Sequence, residues 1–287
     1  MIIIGGTASH TTAQTIAQEL NASFASVILK RFPDGEAYVR ITDNVKGQDV
    51  VIVQTTYPDE NIIELFLLQD AVRQAGAKTI TVVIPYYGYS RQDKQFNDGE
   101  PISARTIAKH IELNADTVIT IDPHKEHILD FFSITSVSAS AIPSIAKYLV
   151  DHHVDFLLAP DKGALPNVKK ACALVGCDYD YMEKTRIDGH TVEIKPKQVD
   201  VCGKHVAIID DIISTGGTMA KSIEQLKKQG ATKVSAACTH GLFIGDAIDK
   251  LTKAGCDDII ATDTIQNQYS KVSIAPCIAK ILTETFS

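Results

Sequence analysis

Two adjacent aspartates stand where a run of apolar residues gives way to a loop of small polar residues. Asp210 and Asp211 follow the apolar residues 206–209 and precede Ser214-Thr215-Gly216-Gly217-Thr218, and a helical pattern begins near Thr218. Backbone N–H groups and hydroxyls at a helix N-terminus suit a phosphate dianion. Carboxylates at the end of the strand can hold sugar hydroxyls, or a metal ion through water. The motif predicts a ligand with a phosphate and ribose hydroxyls. The alternative is a helix cap beside two solvated acids, which is disfavoured because it places two charges next to an apolar core.

The elements that would position this motif alternate along the whole chain. Short apolar runs are separated by segments in which apolar residues recur at helical spacing, as in Ile62, Leu65, Phe66 and Val72. This alternation predicts an α/β fold of mainly parallel sheets flanked by helices. The predicted buried strands lie at 50–53, 80–84, 118–121, 156–158, 206–209, 234–238 and 259–260.

The two halves of the chain resemble each other. The strand at 50–53, a helix and Gly76-Ala77 form one block, and the strand at 206–209, a helix and Gly230-Ala231 form another in the same order. Residues 115–122 are echoed by 256–263. Since any two βαβ units share such a rhythm, a chance likeness is the alternative, and we favour a duplicated domain. The predicted domains are residues 1–145 and 146–287, and the last helix could pack back on the first domain.

Composition narrows the classes of function. The 287 residues are 45% hydrophobic and 22% charged, which excludes disorder, collagen and a coiled coil. The 35 acidic residues outnumber the 28 lysines and arginines, so we expect no nucleic-acid partner, and no apolar run reaches the ~18 residues that span a membrane. Residues 1–6 lack a basic region and predict a strand rather than a signal peptide. The six cysteines form no C-x-x-C pair and are expected to be buried free thiols of a cytoplasmic protein.

Five further motifs occur in order along the chain. They are Phe32-Pro33-Asp34-Gly35-Glu36, Tyr86-Tyr87-Gly88-Tyr89-Ser90-Arg91-Gln92-Asp93-Lys94, Asp122-Pro123-His124, Pro160-Asp161-Lys162-Gly163 and Glu183-Lys184-Thr185-Arg186. Together with 210–218, which resembles the ribose 5-phosphate loop of type I phosphoribosyltransferase-like folds, they resemble the ribose-phosphate pyrophosphokinase (phosphoribosyl pyrophosphate synthetase) family in a short form. The resemblance covers essentially the whole chain. It implies two duplicated type I phosphoribosyltransferase-like domains, with ATP bound on the side of the first and ribose 5-phosphate in the second.

The family resemblance assigns Arg91, Gln92 and Asp93 to ATP binding. A guanidinium here can hold a polyphosphate, and an amide can bond a base or ribose edge. A solvated surface loop is the alternative, weakened by the density of Tyr and Gly just before Arg91.

The resemblance also assigns the turn at 32–36 to ATP, through Phe32, Asp34, Gly35 and Glu36, on a hairpin that reaches an adjacent subunit's nucleotide. Phe can stack on adenine, and the two carboxylates can accept hydrogen bonds from its exocyclic amine. On its residues alone, this segment predicts a turn and no function.

His124 and Asp161 each follow a predicted strand at its carboxyl end, where ligands bind in open α/β sheets. The resemblance makes both of them Mg²⁺ ligands, directly or through water, and adds His124 to the ATP site. On residues alone a capping role is the better interpretation of His124, because hard cations prefer oxygen ligands. His127, His152 and His153 receive the same interpretation.

Lys184 and Arg186 open a polar stretch from Thr185 to Gln198, which predicts a mobile loop between strands. The resemblance gives both cations a catalytic role and adds Arg186 to the ribose 5-phosphate site. A solvated basic loop is the alternative from the residues alone. Ser214 stands where many family members carry a second acid, and we expect this to alter metal or ribose affinity rather than abolish binding.

The reaction that the resemblance implies is transfer of a diphosphoryl group from Mg·ATP to the C1 hydroxyl of ribose 5-phosphate. The implied partners are these two substrates and at least one further copy of the chain; neither nucleic acid nor membrane is expected. Two alternatives stay open. One is a phosphoribosyltransferase, which shares the 210–218 loop but needs neither Arg91-Gln92 nor a duplicated domain. The other is a non-catalytic regulatory subunit, which we would expect to lack the Lys184-x-Arg186 pair.

Overall fold

The computed structural model describes residues 1–186, 192–195 and 200–286. The chain clusters into two compact units. The first unit comprises Met1–Ser140, Thr264–Gln266 and Ser273–Ser287, and the second comprises Ala141–Asp263 and Asn267–Val272. The boundary predicted between residues 145 and 146 falls inside a helix of the second unit, Ile142–Asp151.

The first unit is built on a parallel sheet of six strands. In chain order its strands are β1 (Ile2–Gly5), β2 (Ser23–Phe24), β5 (Asp49–Val53), β6 (Thr79–Ile84), β7 (Thr117–Ile121) and β8 (Thr135–Ala139), while β3 (Val27–Arg31) and β4 (Ala37–Ile41) form a separate antiparallel hairpin. The order across the sheet is β2-β1-β5-β6-β7-β8. Val51 of β5 lies opposite Ile3 of β1 and Thr81 of β6.

Helices cover the sheet of the first unit because their apolar residues recur on one face. These helices are α1 (His10–Glu19), α2 (Glu60–Gln74) and α3 (Ser103–Ile111), with 3-10 turns at Thr7–Ser9, Glu112–Asn114 and Glu126–Phe131. Leu65, Leu68 and Val72 of α2 share a buried core with Val50 and Ile52 of β5. After Asp49 at its start, β5 is therefore apolar, as expected for a strand of a parallel sheet that is covered on both faces.

The second unit repeats this plan. Its strands are β9 (Phe156–Ala159), β10 (Asp178–Tyr181), β11 (Glu183–Arg186), β12 (Val192–Lys195), β13 (His205–Ile213), β14 (Lys233–Gly241), β15 (Asp258–Thr262) and β16 (Ser270–Val272). Its helices are α4 (Ile142–Asp151), α5 (Leu165–Val175), α6 (Gly217–Lys228) and α7 (Ala247–Lys253). The parallel sheet has the order β10-β9-β13-β14-β15-β16, which matches the first sheet strand for strand.

Alternation along β13 shows why the second sheet is covered on both faces. Val206 and Ile208 join the core that contains Ile223 of α6. Ala207 and Ile209 join the core formed with α4 and α5. Successive side chains of a strand point to opposite faces, so an unbroken apolar run fills both cores. The predicted fold class, two parallel-sheet α/β domains flanked by helices, is confirmed.

The last helix, α8 (Ala275–Phe286), belongs to the first unit, where it contacts α1. Among the residues that the structure describes, no helix is long and apolar enough to cross a membrane. All six cysteines are free, but only Cys238 is buried and Cys202 is exposed. The other four are half-buried, Cys172 and Cys277 within helices and Cys177 and Cys256 in the connections between elements, so the expectation of mostly buried thiols is wrong.

The stretch from Thr185 to Gln198 differs from the predicted continuous loop. Within it, β11 pairs with β12 in antiparallel fashion, with Lys184 opposite Ile194 and Arg186 opposite Val192. The sequence Val192-Glu193-Ile194-Lys195 alternates apolar and charged residues with the period of a strand. That local signal outweighs the polar composition of the whole stretch. The remainder of the predicted loop, 187–191 and 196–198, lies outside the described residues.

Candidate active site

The acid pair lies within β13, which continues past the predicted strand 206–209 and ends two residues after Asp211. Asp210 Oδ1 accepts the N–H of Asp211 at 3.0 Å, and Asp211 Oδ1 accepts the N–H of Ile212 at 2.9 Å. Burial raises the pKa of Asp210 well above its ordinary value, and the Asp211 and Asp161 carboxylates raise it further. The second unit therefore gathers three carboxylates whose mutual repulsion a cation or donating hydroxyls would relieve.

The small loop after the acid pair leads into the N-terminus of α6. Ser214 accepts the N–H of Ile244 on its backbone oxygen at 2.9 Å, which ties the loop to the end of β14. The side chains of Thr215 and Thr218 are exposed. Within the described part of the chain, no side chain caps α6. Exposed hydroxyls and an uncapped helix N-terminus form a cradle for an anion.

Gly216 is required by the shape of this cradle. Its φ is +73°, in the left-handed region that glycine tolerates best. A β-carbon added there would lie 3.1 Å from the carbonyl oxygen of Ala247 and 3.3 Å from its Cα. A β-carbon added to Gly217, by contrast, would meet no atom within 4 Å. The space in front of Gly217 is therefore open to a ligand.

Asp161 stands on the turn between β9 and α5. Its Oδ1 accepts the N–H groups of Gly163 at 2.8 Å and Ala164 at 3.3 Å. These bonds fix the carboxylate close enough to Asp210 to act on it electrostatically. The structure thus brings Asp161 to the same edge of the second sheet as the acid pair.

Lys184 and Arg186 lie on β11, whose backbone the structure describes. Their side chains lie outside the described residues. Their predicted catalytic role stays a prediction.

In the first unit, an aromatic segment after β6 is held by buried contacts. The hydroxyl of Tyr87, which is 1% exposed, donates to the carbonyl of Ala104 at 2.9 Å. The N–H of Gly88 donates to Thr56 Oγ1 at 2.7 Å, and a β-carbon on Gly88 would lie 2.4 Å from the Thr56 carbonyl oxygen. Tyr and Gly are therefore needed here for close packing, and the segment leads to an exposed Arg91.

Gln92 and Asp93 are held on this segment by side chains distant in sequence. Gln92 Oε1 accepts the Ser103 hydroxyl at 2.6 Å, which leaves the amide N–H groups of Gln92 as donors. Asp93 Oδ2 lies 3.0 Å from His127 Nε2. Sequence reasoning missed Ser103, and its capping interpretation of His127 is wrong, since the ring reaches a carboxylate on another segment. The strand order explains this contact, because the adjacent parallel strands β6 and β7 bring the loops that follow them to one edge of the sheet.

The hairpin β3–β4 exposes the turn residues assigned to adenine. Phe32 is 43% exposed, and Asp34 and Glu36 are also exposed. The turn closes through the N–H of Gly35, whose φ is +94°, donating to the carbonyl of Phe32 at 2.9 Å. The Phe32 ring meets Tyr38 edge to face at 5.8 Å, so one aromatic face remains available for stacking.

A bound divalent cation fits the donors of the second unit in part. His124 is half-buried after β7 in the first unit, and Asp161 belongs to the second. Across the described ranges, no group of three His, Cys, Asp or Glu side chains is arranged to hold a metal ion. The carboxylate repulsion at Asp210 nevertheless favours a cation, and Mg²⁺ commonly takes only one or two protein carboxylates and completes its shell with water and substrate phosphates. The residues present fit such a loosely held Mg²⁺.

The equivalent edge of the first unit is closed by the chain's own carboxylate. Buried Glu64 of α2 accepts the N–H of Thr7 at 2.7 Å and the Thr7 hydroxyl at 2.9 Å. It also accepts the Gln54 amide at 2.8 Å. Thr7 follows β1 and Gln54 follows β5, the counterparts of β9 and β13 by sheet order. An internal anion thus lies where the second unit leaves its edge open.

Comparisons with known proteins cover both units. Residues 1–114 match the family model described as the N-terminal domain of ribose phosphate pyrophosphokinase, and residues 133–276 match the phosphoribosyl transferase domain. The ribose-phosphate pyrophosphokinase of Methanosarcina acetivorans is 45% identical over 98% of this chain and 99% of its own length. That of Pyrococcus furiosus is 43% identical over 98% of this chain and 100% of its own. The crystal structure of phosphoribosylpyrophosphate synthetase from Mycobacterium smegmatis superposes with a TM-score of 0.86 at 29% identity, covering 99% of this chain and 98% of that one.

Proposed function

The chain belongs to the ribose-phosphate pyrophosphokinase family and is an enzyme of that type, and we propose that it transfers the β,γ-diphosphoryl group of ATP to D-ribose 5-phosphate, giving 5-phospho-α-D-ribose 1-diphosphate and AMP. One observation carries the choice of acceptor. The acid pair Asp210 and Asp211 lies near the carboxyl end of β13, and the short loop 214–216 joins that strand to the uncapped N-terminus of α6. A sugar phosphate presents hydroxyls and a dianion at matching positions.

Ribose 5-phosphate would bind through the second unit. The N–H groups of Gly217 and Thr218, with the hydroxyls of Thr215 and Thr218, would hold the phosphate. Asp210 and Asp211 would bind the ribose hydroxyls, and a carboxyl that keeps its proton can both donate and accept. Ser214 and Gly216 would shape the loop.

ATP would bind through residues of the first unit. Arg91 would hold phosphate oxygens, and the Gln92 amide, whose oxygen already accepts from Ser103, would donate to the base or ribose. The hairpin turn would stack Phe32 on the adenine of a neighbouring copy, with Asp34 and Glu36 accepting from its amine. This arrangement makes the active form at least a homodimer, as the exposure of Phe32 supports.

Membership of the family is consistent with a metal-ion requirement, and we propose that the ion is Mg²⁺, with Asp161 of the second unit and His124 of the first unit each a candidate ligand beside water and phosphate oxygens. When bound, it supplies neutralising charge to the phosphates. Asp161 is suited to this role because two backbone N–H groups already fix its Oδ1. A cytoplasmic location, consistent with six free cysteines, is part of the proposal.

The chemical step depends on the positioning of the two substrates and on stabilisation of the charge of the transferring group, rather than on covalent catalysis. The C1 hydroxyl oxygen attacks the β-phosphorus, the bond from that phosphorus to the oxygen shared with the α-phosphate breaks, and AMP leaves with its electrons. The hydroxyl proton passes to solvent. Lys184 and Arg186 would stabilise the charge of the transferring group, a role that their backbone position on β11 permits.

The test is AMP release from Mg·ATP with and without ribose 5-phosphate. We expect release only when the sugar phosphate is present, and a strong loss of ribose 5-phosphate affinity in Asp211→Ala, with ATP affinity little changed. Thr252→Ala, on α7 in the same unit, is the matched control. Release that is independent of ribose 5-phosphate, or turnover only with the diphosphate product and a free base, would contradict the proposal.

A further inference from the structure

A contact between a histidine and an aspartate joins two segments of the first unit that lie more than thirty residues apart in the sequence. His127 Nε2 lies 3.0 Å from Asp93 Oδ2. The Asp93 side chain is only 10% exposed, whereas that of His127 is 49% exposed. A carboxylate so little exposed is costly unless it is hydrogen-bonded or paired. Asp93 therefore depends on His127 more than His127 depends on Asp93.

The two partners sit beside the groups assigned to the nucleotide. Asp93 directly follows Arg91 and Gln92, and His127 comes three residues after His124. Gln92 is already fixed by the Ser103 hydroxyl at 2.6 Å and by its backbone carbonyl, which accepts the N–H of Ala104 at 3.2 Å. These contacts tie the segment to α3. The Asp93 pair ties it to the segment that bears His124, which the Tyr87 ring also contacts, edge to face, at Phe132 with the ring centres 6.2 Å apart.

His127 is itself held in place from the other side. Its ring contacts Phe131 edge to face at 5.9 Å, within the 3-10 turn Glu126–Phe131. That turn packs against α3. The contact with Phe131 therefore fixes the orientation of the imidazole independently of Asp93. A residue that positions another side chain must itself be fixed in this way.

We propose that His127 is a positioning residue for ATP: by binding Asp93, it holds the Arg91–Gln92 segment in register with the segment of His124. The inference rests on the proposed function in assigning ATP to these segments. His127 itself contacts no substrate in this role. It positions the groups that contact ATP. Its loss therefore weakens the binding of ATP more than the binding of ribose 5-phosphate.

The first experiment compares two substitutions. His127→Ala removes the donor, and we expect the KM for ATP to rise about tenfold or more, the lower range for losing a hydrogen bond to a charged group. The KM for ribose 5-phosphate and kcat should stay within about twofold, since the second unit and the reacting groups are untouched. His127→Gln keeps an N–H donor and should restore most of the ATP affinity.

The control is His152→Ala. His152 is also exposed, stacks on one aromatic ring, Tyr148, and hydrogen-bonds one acceptor, the Tyr148 carbonyl at 2.7 Å. Its substitution should leave both KM values unchanged. Thermal melting of every variant separates loss of folding from loss of positioning.

The second experiment is a double-mutant cycle with Asp93→Asn, read by calorimetric binding of α,β-methylene-ATP, which cannot react. If the pair acts as one unit, His127→Ala has no more than a twofold further effect once Asp93 is Asn. Additive losses would overturn the inference, as would equal losses in His127→Ala and His127→Gln, or a matching rise in the KM for ribose 5-phosphate. Analogue binding with intact coupling but no sugar-dependent AMP release would overturn the proposed function alone, and failure of the wild type to bind the analogue would overturn both.

Discussion

Replacing Gly216 and Gly217 separately by Ala tests whether the loop before α6 is both strained and a phosphate cradle. At Gly216, φ of +73° costs an L-residue about 1–2 kcal/mol. The added β-carbon would also press on the Ala247 backbone at 3.1 and 3.3 Å, where little can yield, at a further ~1–2 kcal/mol. We expect Gly216→Ala to lose roughly 2–4 kcal/mol of unfolding free energy, which corresponds to a fall in Tm of roughly 3–7 °C for a chain of this size.

Gly217→Ala is the matched control for stability and the probe for function. Its β-carbon would meet no protein atom within 4 Å, and alanine favours a helix more than glycine does. Its Tm should therefore stay level or rise slightly. If a phosphate fills the open space, however, the KM for ribose 5-phosphate should rise at least about tenfold, while that for ATP changes little. Calorimetric melting gives the Tm of each variant, and steady-state kinetics give its KM for ribose 5-phosphate. Equal losses of Tm would refute the strain argument, and an unchanged KM for ribose 5-phosphate in Gly217→Ala would refute the cradle.

Three further predictions concern acid stability, catalysis and assembly. Burial and the charge of Lys233 hold the pKa of His205 below its ordinary 6.5, so on acidification the unfolded chain takes up this proton before the folded chain does. The urea midpoint of unfolding should therefore fall as the pH drops below 6.5. His205→Gln should flatten this decline, and an unchanged slope in the variant would contradict the prediction. Lys184→Ala should lower kcat at least about a hundredfold with the KM for ATP nearly constant, and the opposite split would make Lys184 a binding group. Phe32→Ala and Lys184→Ala chains, each inactive alone, should regain partial activity when mixed, and full activity of a monomer in sedimentation and rate measurements would exclude a shared adenine site.

The buried strands and the acid-loop motif were readable from the sequence because local chemistry dictates them. Four consecutive apolar residues such as 206–209 are buried on both faces only in the middle of a covered sheet. The two carboxylates that follow, Asp210 and Asp211, must then face a ligand or solvent. Contacts set by tertiary packing were not readable in this way. The Asp93–His127 pair forms because β6 and β7 are neighbours, and neither residue carries a local mark of it.

Glu64 makes the two duplicated units differ in whether this edge of the sheet can bind an external anion. Its carboxylate, held by Thr7 and Gln54, is covalently part of the chain, so its effective concentration never changes with metabolism. Free phosphate in the surroundings would have to displace a resident anion to enter the first unit at this edge, whereas it meets no such competitor at α6. One of the two equivalent edges is thereby occupied by an internal carboxylate that accepts hydrogen bonds from Thr7 and Gln54, and the other remains free to respond to the supply of sugar phosphate.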